Sequence, residues 1–174
     1  IRNTLIGSLS GDALTDADFN VSLGYATLSS DTLGSHNTAI GYAALFTQNF
    51  TTATDAFNTA VGSNAGLSIT TGTANTLIGG LSGDAITTGA FNTGVGASSL
   101  GALTTGSNNV AIGEVSLDAI TEASDNVSIG VSALGTDTLG SRSVAVGRAA
   151  LAAQNFTTAT NTYNVAVGYD AGAA

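Results

Sequence analysis

Along the whole chain a polar residue, a Thr or Val, a small residue, an aliphatic residue and a glycine follow one another in that order, and the block then returns. Asn37-Thr38-Ala39-Ile40-Gly41 is a clean copy, and others begin at Asn3, Asn20, Asn58, Asn75, Asn92, Asn109, Asn126, Ser143 and Asn164. Successive starts are 17 residues apart except for two intervals of 21. A fixed period in this range marks a stack of like units rather than one jigsaw core. Because side chains alternate along a strand, the second and fourth motif positions share a face. We expect that face to line the inside of a coil, leaving the small third position and the glycine outward.

After each glycine come two variable residues, a small residue and then Leu or Gly, as in Ala44-Leu45 and Ser82-Gly83, which predicts the turn. A second short β segment should follow, an apolar residue and Thr, as in Leu14-Thr15, Ile69-Thr70 and Ile86-Thr87. In two coils the text slips to Asp31-Thr32-Leu33-Gly34 and Asp137-Thr138-Leu139-Gly140, a two-residue shift that should keep the apolar side chain on the same face.

The fold class that follows is all-β: a β-solenoid, or parallel β-roll, of ten coils forming a single array over residues 1–174, with long coils at 37–57 and 143–163. Stacked at about 4.8 Å, coils pair backbone to backbone, and nine steps would make a rod of about 43 Å. Two columns follow from the stacking. Asn3, Asn20, Asn37, Asn58, Asn75, Asn92, Asn109, Asn126 and Asn164 should form an amide ladder at a corner that tolerates left-handed backbone. Gly7, Gly24, Gly41, Gly62, Gly79, Gly96, Gly113, Gly130, Gly147 and Gly168 should mark a sharp turn or a close approach.

Both long coils carry Gln-Asn-Phe-Thr-Thr-Ala-Thr, at 48–54 and 154–160, and residues 20–66 match residues 126–172 at a distance of 106. Duplication of a six-coil block accounts for this most simply. Both ends of the chain fall inside a repeat, as in a piece cut from a longer array.

Composition narrows the function. The chain has 23 Gly and no Pro, Cys, Met or Trp, and its 3 basic and 12 acidic residues leave a net charge of -9. That charge repels phosphate backbones, so nucleic acid is not an expected partner. No thiolate metal site or disulfide can form, and no apolar run approaches the roughly 18 residues of a membrane span.

Copies such as Asn109-Val110-Ala111-Ile112-Gly113 and Ser143-Val144-Ala145-Val146-Gly147 resemble the head-domain repeats of trimeric autotransporter adhesins (YadA-like). The longer unit from Asn58 to Asn75, with its Thr-Thr-Gly return, is also similar to repeats of phage tail fibres. The resemblance spans essentially the whole chain. It implies a left-handed parallel β-roll, coils packed or intertwined as a homotrimer, a virion or cell-surface setting outside the cell, and a cell-surface glycan or protein receptor.

Candidate chemistry is sparse, and neither an enzyme nor a cofactor or metal is expected. His36, the only histidine, precedes a motif where Arg142 stands one block later, a surface corner rather than a general base. Asp12, Asp84 and Asp118 share a register but lie in coils one, five and seven, too far apart to clasp one cation. Phe19, Phe57, Phe91 and Tyr163 each precede a motif and read as a packed corner. Phe50 and Phe156 in the insertions, with Tyr25 and Tyr42 on adjacent coils, are the candidates for surface contact. The single column of Thr15, Thr32, Thr70, Thr87, Thr104, Thr121 and Thr138 raises an ice-binding solenoid as a lesser alternative. The expected function is a structural segment of a phage tail fibre, a rigid spacer with host-surface adhesion; the alternative is a bacterial surface adhesin or extracellular filament.

Overall fold

A computed structural model describes residues 2–173; Ile1 and Ala174, at the ends of the array, lie outside the described residues. The motif makes one parallel sheet of ten strands, each only three residues long. In chain order these are β1 (Thr4–Ile6), β2 (Val21–Leu23), β4 (Thr38–Ile40), β6 (Thr59–Val61), β7 (Thr76–Ile78), β8 (Thr93–Val95), β9 (Val110–Ile112), β10 (Val127–Ile129), β12 (Val144–Val146) and β14 (Val165–Val167). Every strand pairs with the next coil's at the same motif position, so Ala39 faces Ala60 and Leu77 faces Gly94. The described residues contain no helix. The architecture is a β-solenoid of ten coils.

The return segment departs from expectation. It pairs as strand only beside the insertions, where β3 (Gly34–Ser35) meets β5 (Thr54–Asp55) and β11 (Gly140–Ser141) meets β13 (Thr160–Asn161). Elsewhere the chain turns repeatedly, held by single backbone bonds to the next coil such as Thr87 N–H to Thr104 C=O at 2.8 Å.

The sheet also faces the other way from expectation. The third motif position points into the coil: Ser22, Ala39, Ala60, Leu77, Ala111, Ser128 and Ala145 are fully buried. The second and fourth positions point outward, with Ile78, Ile112 and Ile129 between 37 % and 41 % exposed. The reason is volume. A coil this thin has room for only a small side chain from the strand once Leu45 or Leu117 from the turn and Ile69 or Ile120 from the return have entered.

Where the strand does contribute a Leu, the turn gives up its own. A Cβ on Gly83 would stand 2.6 Å from Leu77 Cδ2, and one on Gly11 would stand 2.8 Å from Leu5 Cδ2. Interiors tolerate neither overlap nor voids, so a strand Leu excludes a turn Leu from its own coil, while a Cβ on Gly66, whose own strand gives Ala60, would meet Leu45 and Leu77 of the neighbouring coils at 3.0 Å.

The ladder runs from Asn3 to Asn126; Ser143 then interrupts it, and Asn164, expected to belong to it, instead donates Nδ2 to Gln154 Oε1 at 2.7 Å. The backbone N–H of Asn92 donates to Asn75 Oδ1 at 3.0 Å, its Nδ2 donates to the same oxygen at 3.2 Å, and Nδ2 also reaches across the coil to Gly106 C=O at 2.9 Å. One side chain thereby joins two coils and closes its own. The left-handed corner, however, falls on the residue before the Asn, as at Phe19 (φ 61°), His36 (φ 63°) and Phe57 (φ 53°). The motif glycine has both properties foreseen for it. Gly96 has φ 135°, and a Cβ there would lie 2.5 Å from the carbonyl oxygen of Gly113 in the next coil.

The slipped text does not keep an apolar residue inside. Asp31 itself is fully buried, and Leu33 is only half-buried. The Asp31 carboxylate accepts from Gly34 N–H (3.0 Å), Phe50 N–H (3.2 Å) and Gln48 Nε2 (2.5 Å), while Gln48 Oε1 accepts from Asn58 Nδ2 (2.8 Å). Buried charge needs such partners. Asp137, Gln154 and Asn164 repeat the arrangement one block later. Each insertion is thus anchored by a polar relay inside the coil, and no buried side-chain N or O among the described residues lacks a partner.

Candidate functional site

With the third position inside, the outer face of the sheet carries two continuous columns. Thr or Val stands at position two of every coil and Ile, Leu or Val at position four. Strands of constant register put these side chains in straight rows at about 4.8 Å. At the C-terminal end the rows are barely covered, Val165 at 71 % and Val167 at 70 % exposed. This face is the largest regular feature of the surface.

The face has two edges, both aromatic in coils two and three. Along one edge run the corner residues that precede each Asn. Arg2 sits over the Phe19 ring at 5.1 Å, Phe19 stacks on His36 at 4.8 Å, and His36 stacks on Phe57 at 5.0 Å. Left-handed corners all project the same way, so stacking of coils makes stacking of rings. Asp55 Oδ1 lies 3.6 Å from His36 Nε2. The expected packed corner is instead an exposed ladder: Phe19, Phe57, Phe91 and Tyr163 are 45 % to 66 % exposed.

The same edge in the second block is polar. Arg142 donates Nη1 to the Tyr163 hydroxyl at 2.8 Å and holds Asp125 at 3.5 Å, and these partners, Tyr163 foremost, keep its guanidinium above its ordinary pKa.

The other edge holds the residues after each glycine. Tyr25 and Tyr42 stack at 5.6 Å and are half-exposed, as expected of contact candidates. They stand beside an open apolar groove of about 510 Å³, completed by Leu9, Phe46, Asn64 and Leu67. Sequence reading missed Phe46 and Leu67. Their signal was two adjacent large apolar residues in the register of Asp12 and Asp84.

The insertions behave differently from expectation. Phe50 is only 6 % exposed, its backbone N–H bonded to the Asp31 carboxylate and its ring beside Gly34, and Phe156 is half-buried with its N–H on Asp137. Neither presents a free ring. What the insertions expose is Thr51-Thr52-Ala53 and Thr157-Thr158-Ala159. The Thr column directs its hydroxyls along the stack, Thr104 Oγ1 donating to Thr121 C=O at 3.0 Å.

The acids do not assemble a site. Burial raises the carboxyl pKa of both Asp84 and Asp118, and the Asp118 charge adds to the rise at Asp84, with Gly101 in the coil between them. Among the described residues no group of three His, Cys, Asp or Glu could hold a metal ion, and no helix is long and apolar enough to cross a membrane. Compared with known proteins, the chain matches no family model, no curated sequence and no solved structure. The geometry therefore carries the functional argument alone. What it offers is a sheet face with an aliphatic row in every coil and rings at its edges.

Proposed function

We propose that this chain is a rigid segment of a phage tail fibre, a spacer that contributes to host-surface adhesion and is built as a homotrimer around the exposed sheet face. The observation that carries the reading is an outer face with an aliphatic side chain at position four of all ten coils and a Val or Thr beside it. With five motif residues across and nine steps along, it measures about 17 by 43 Å, roughly 700 Å². The largest apolar patch of a typical monomer is about 300–600 Å², whereas a stable partner contact takes about 800 Å² per side. Three copies turning this face to a common axis would bury it and leave the outer turns in water.

Stiffness supports the spacer role. Each coil is tied to the next by strand pairing, by the Asn ladder and by the Thr hydroxyls, so bending must break bonds at many levels. A chain with three Arg and no Lys also offers few trypsin-type cleavage sites, which suits an exposed extracellular setting. A bacterial surface adhesin or other extracellular filament is the alternative use of the same rod.

Native mass measurement tests the assembly. Three times 16.9 kDa is expected, and a mass of 16.9 kDa would refute the trimer. Paired Ile78→Glu and Ile112→Glu should release single chains that keep their β signature in circular dichroism. Immunogold labelling of virions against cell surfaces separates fibre from adhesin.

A further inference from the structure

The two edges of the sheet face are unlike each other, and both carry rings over coils two and three. In coils two and three the corner edge carries Phe19 and His36, and the flank edge carries Tyr25 and Tyr42. In coil five both shrink together, to Ala74 and Gly80. In coil six a large ring, Phe91, stands level with a small partner, Ala97. Within one chain these residues lie on opposite sides of the sheet and cannot touch.

A ring of copies would bring the two edges together. Contacts in a three-fold ring are heterologous, one patch meeting a different patch of the next copy. With solenoid axes parallel to the symmetry axis and sheet faces inward, the corner edge of each copy meets the flank edge of its neighbour at the same height. We propose that the Phe19-His36-Phe57 ladder of one copy seats in the Tyr25-Tyr42-Phe46 groove of the next. The occupant of the groove is a second copy of this chain. Both features occupy coils one to four, the ladder from Arg2 to Phe57 and the groove from Leu9 to Leu67, so they overlap in height. Both are half-exposed in the single chain, Phe57 and Tyr42 each 56 %. Aromatic anchors filling an apolar pocket are the usual energetic centre of an interface. This contact rests on the homotrimer proposed above and names the residues that set its register.

Cross-linking tests it on a clean background, since the chain has no cysteine. Tyr42→Cys is combined in turn with Phe19→Cys, His36→Cys and Phe57→Cys, which allows for a one-coil offset between copies. The corner already accommodates Phe, His, Ala, Asn, Asp, Arg and Tyr at positive φ, so Cys should fold there. His36 and Tyr42 flank a whole strand and stand about 15 Å or more apart. A bridge within one chain is thereby excluded, because a disulfide spans only about 4.4–6.8 Å between Cα atoms. Mild oxidation of at least one pair should convert most of the protein to a band of three chains on a non-reducing gel, with Tyr42→Cys alone giving none. If the native mass is three-fold yet every pair stays at one chain, the edge contact is wrong and the trimer stands. If the native mass is that of one chain, the trimer fails and the contact with it.

Discussion

In residues 20–66 the outward positions of the first two coils carry Tyr25, Tyr42 and Phe46; in residues 126–172 the same registers carry Val131, Arg148 and Ala152. Beneath them the changes are few, among them Thr27 to Ala133, Asn37 to Ser143 and Ala56 to Thr162. Leu28, Asp31, Leu45, Gln48 and Phe50 recur as Leu134, Asp137, Leu151, Gln154 and Phe156. The two blocks thus share most of their interior and differ on the surface. Inside a coil a methyl group too many meets backbone, while an outward side chain meets only solvent or a partner. The frame is common to both blocks, and whatever distinguishes their contacts lies in the aromatic groove of the first and the arginine-tyrosine pairs of the second.

The largest effect should come from breaking the frame, and it should be equal in the two blocks. Gly41→Ala and Gly147→Ala each place a Cβ against the carbonyl of the next coil at positive φ. Each should cost roughly 4 kcal/mol in urea unfolding, from strain and overpacking combined. A difference between them larger than about 1 kcal/mol would show that the frames are not equivalent.

Next comes the polar relay. Asp31→Ala strands the Gln48 amide and two backbone N–H groups inside the coil, an expected loss of about 3 kcal/mol. Asp137→Ala should lose less, because Gln154 is only partly buried and water can reach the freed groups. Equal losses, read by the same unfolding curves, would remove this distinction between the blocks.

Exchanging surfaces should barely touch stability. The triple change Tyr25→Val, Tyr42→Arg and Phe46→Ala gives the first block the outer residues of the second, and its unfolding free energy should stay within about 1 kcal/mol of the parent. Self-association, followed by sedimentation, should weaken at the same time. A large loss of stability in the single chain would mean that the rings support the frame after all.

The smallest effect lies between the blocks, at Asp84 and Asp118. Burial raises both carboxyl pKa values, so the folded chain binds these protons more tightly than the unfolded chain does. Their contribution is therefore fully present below the ordinary carboxylate value of about 4 and is lost as pH rises through the raised values. Melting temperature should climb slightly on acidification across that window, and Asp84→Asn with Asp118→Asn should flatten the slope. An unchanged slope in the double variant would place the dependence elsewhere.

Much of the frame was legible in the residues. The period and the Asn and glycine columns could be counted, because each coil repeats the same local demands. What misled was the direction of the strand. Thr38, Ala39 and Ile40 alternate equally well either way, and the larger pair was assigned to the inside, as it would be in an ordinary half-buried strand. That rule assumes a roomy core. Here the turn and the return had already filled it, a fact no single motif displays. Phe50 was misplaced for a related reason: an aromatic in an insertion suggests exposure, but its backbone N–H is bonded to the buried Asp31, 19 residues away in the chain.

By itself the amino-acid sequence determined that there are ten coils, that they stack in register, and where a side-chain amide and a missing Cβ are needed. These are properties of local chemistry repeated at a fixed interval. Only the tertiary structure decided which face of the strand is inside, which acids are buried, and which rings stand free at the edges of the sheet. Those outcomes depend on how much volume is left when side chains distant in the chain meet, and volume is shared among neighbours rather than written into any one residue.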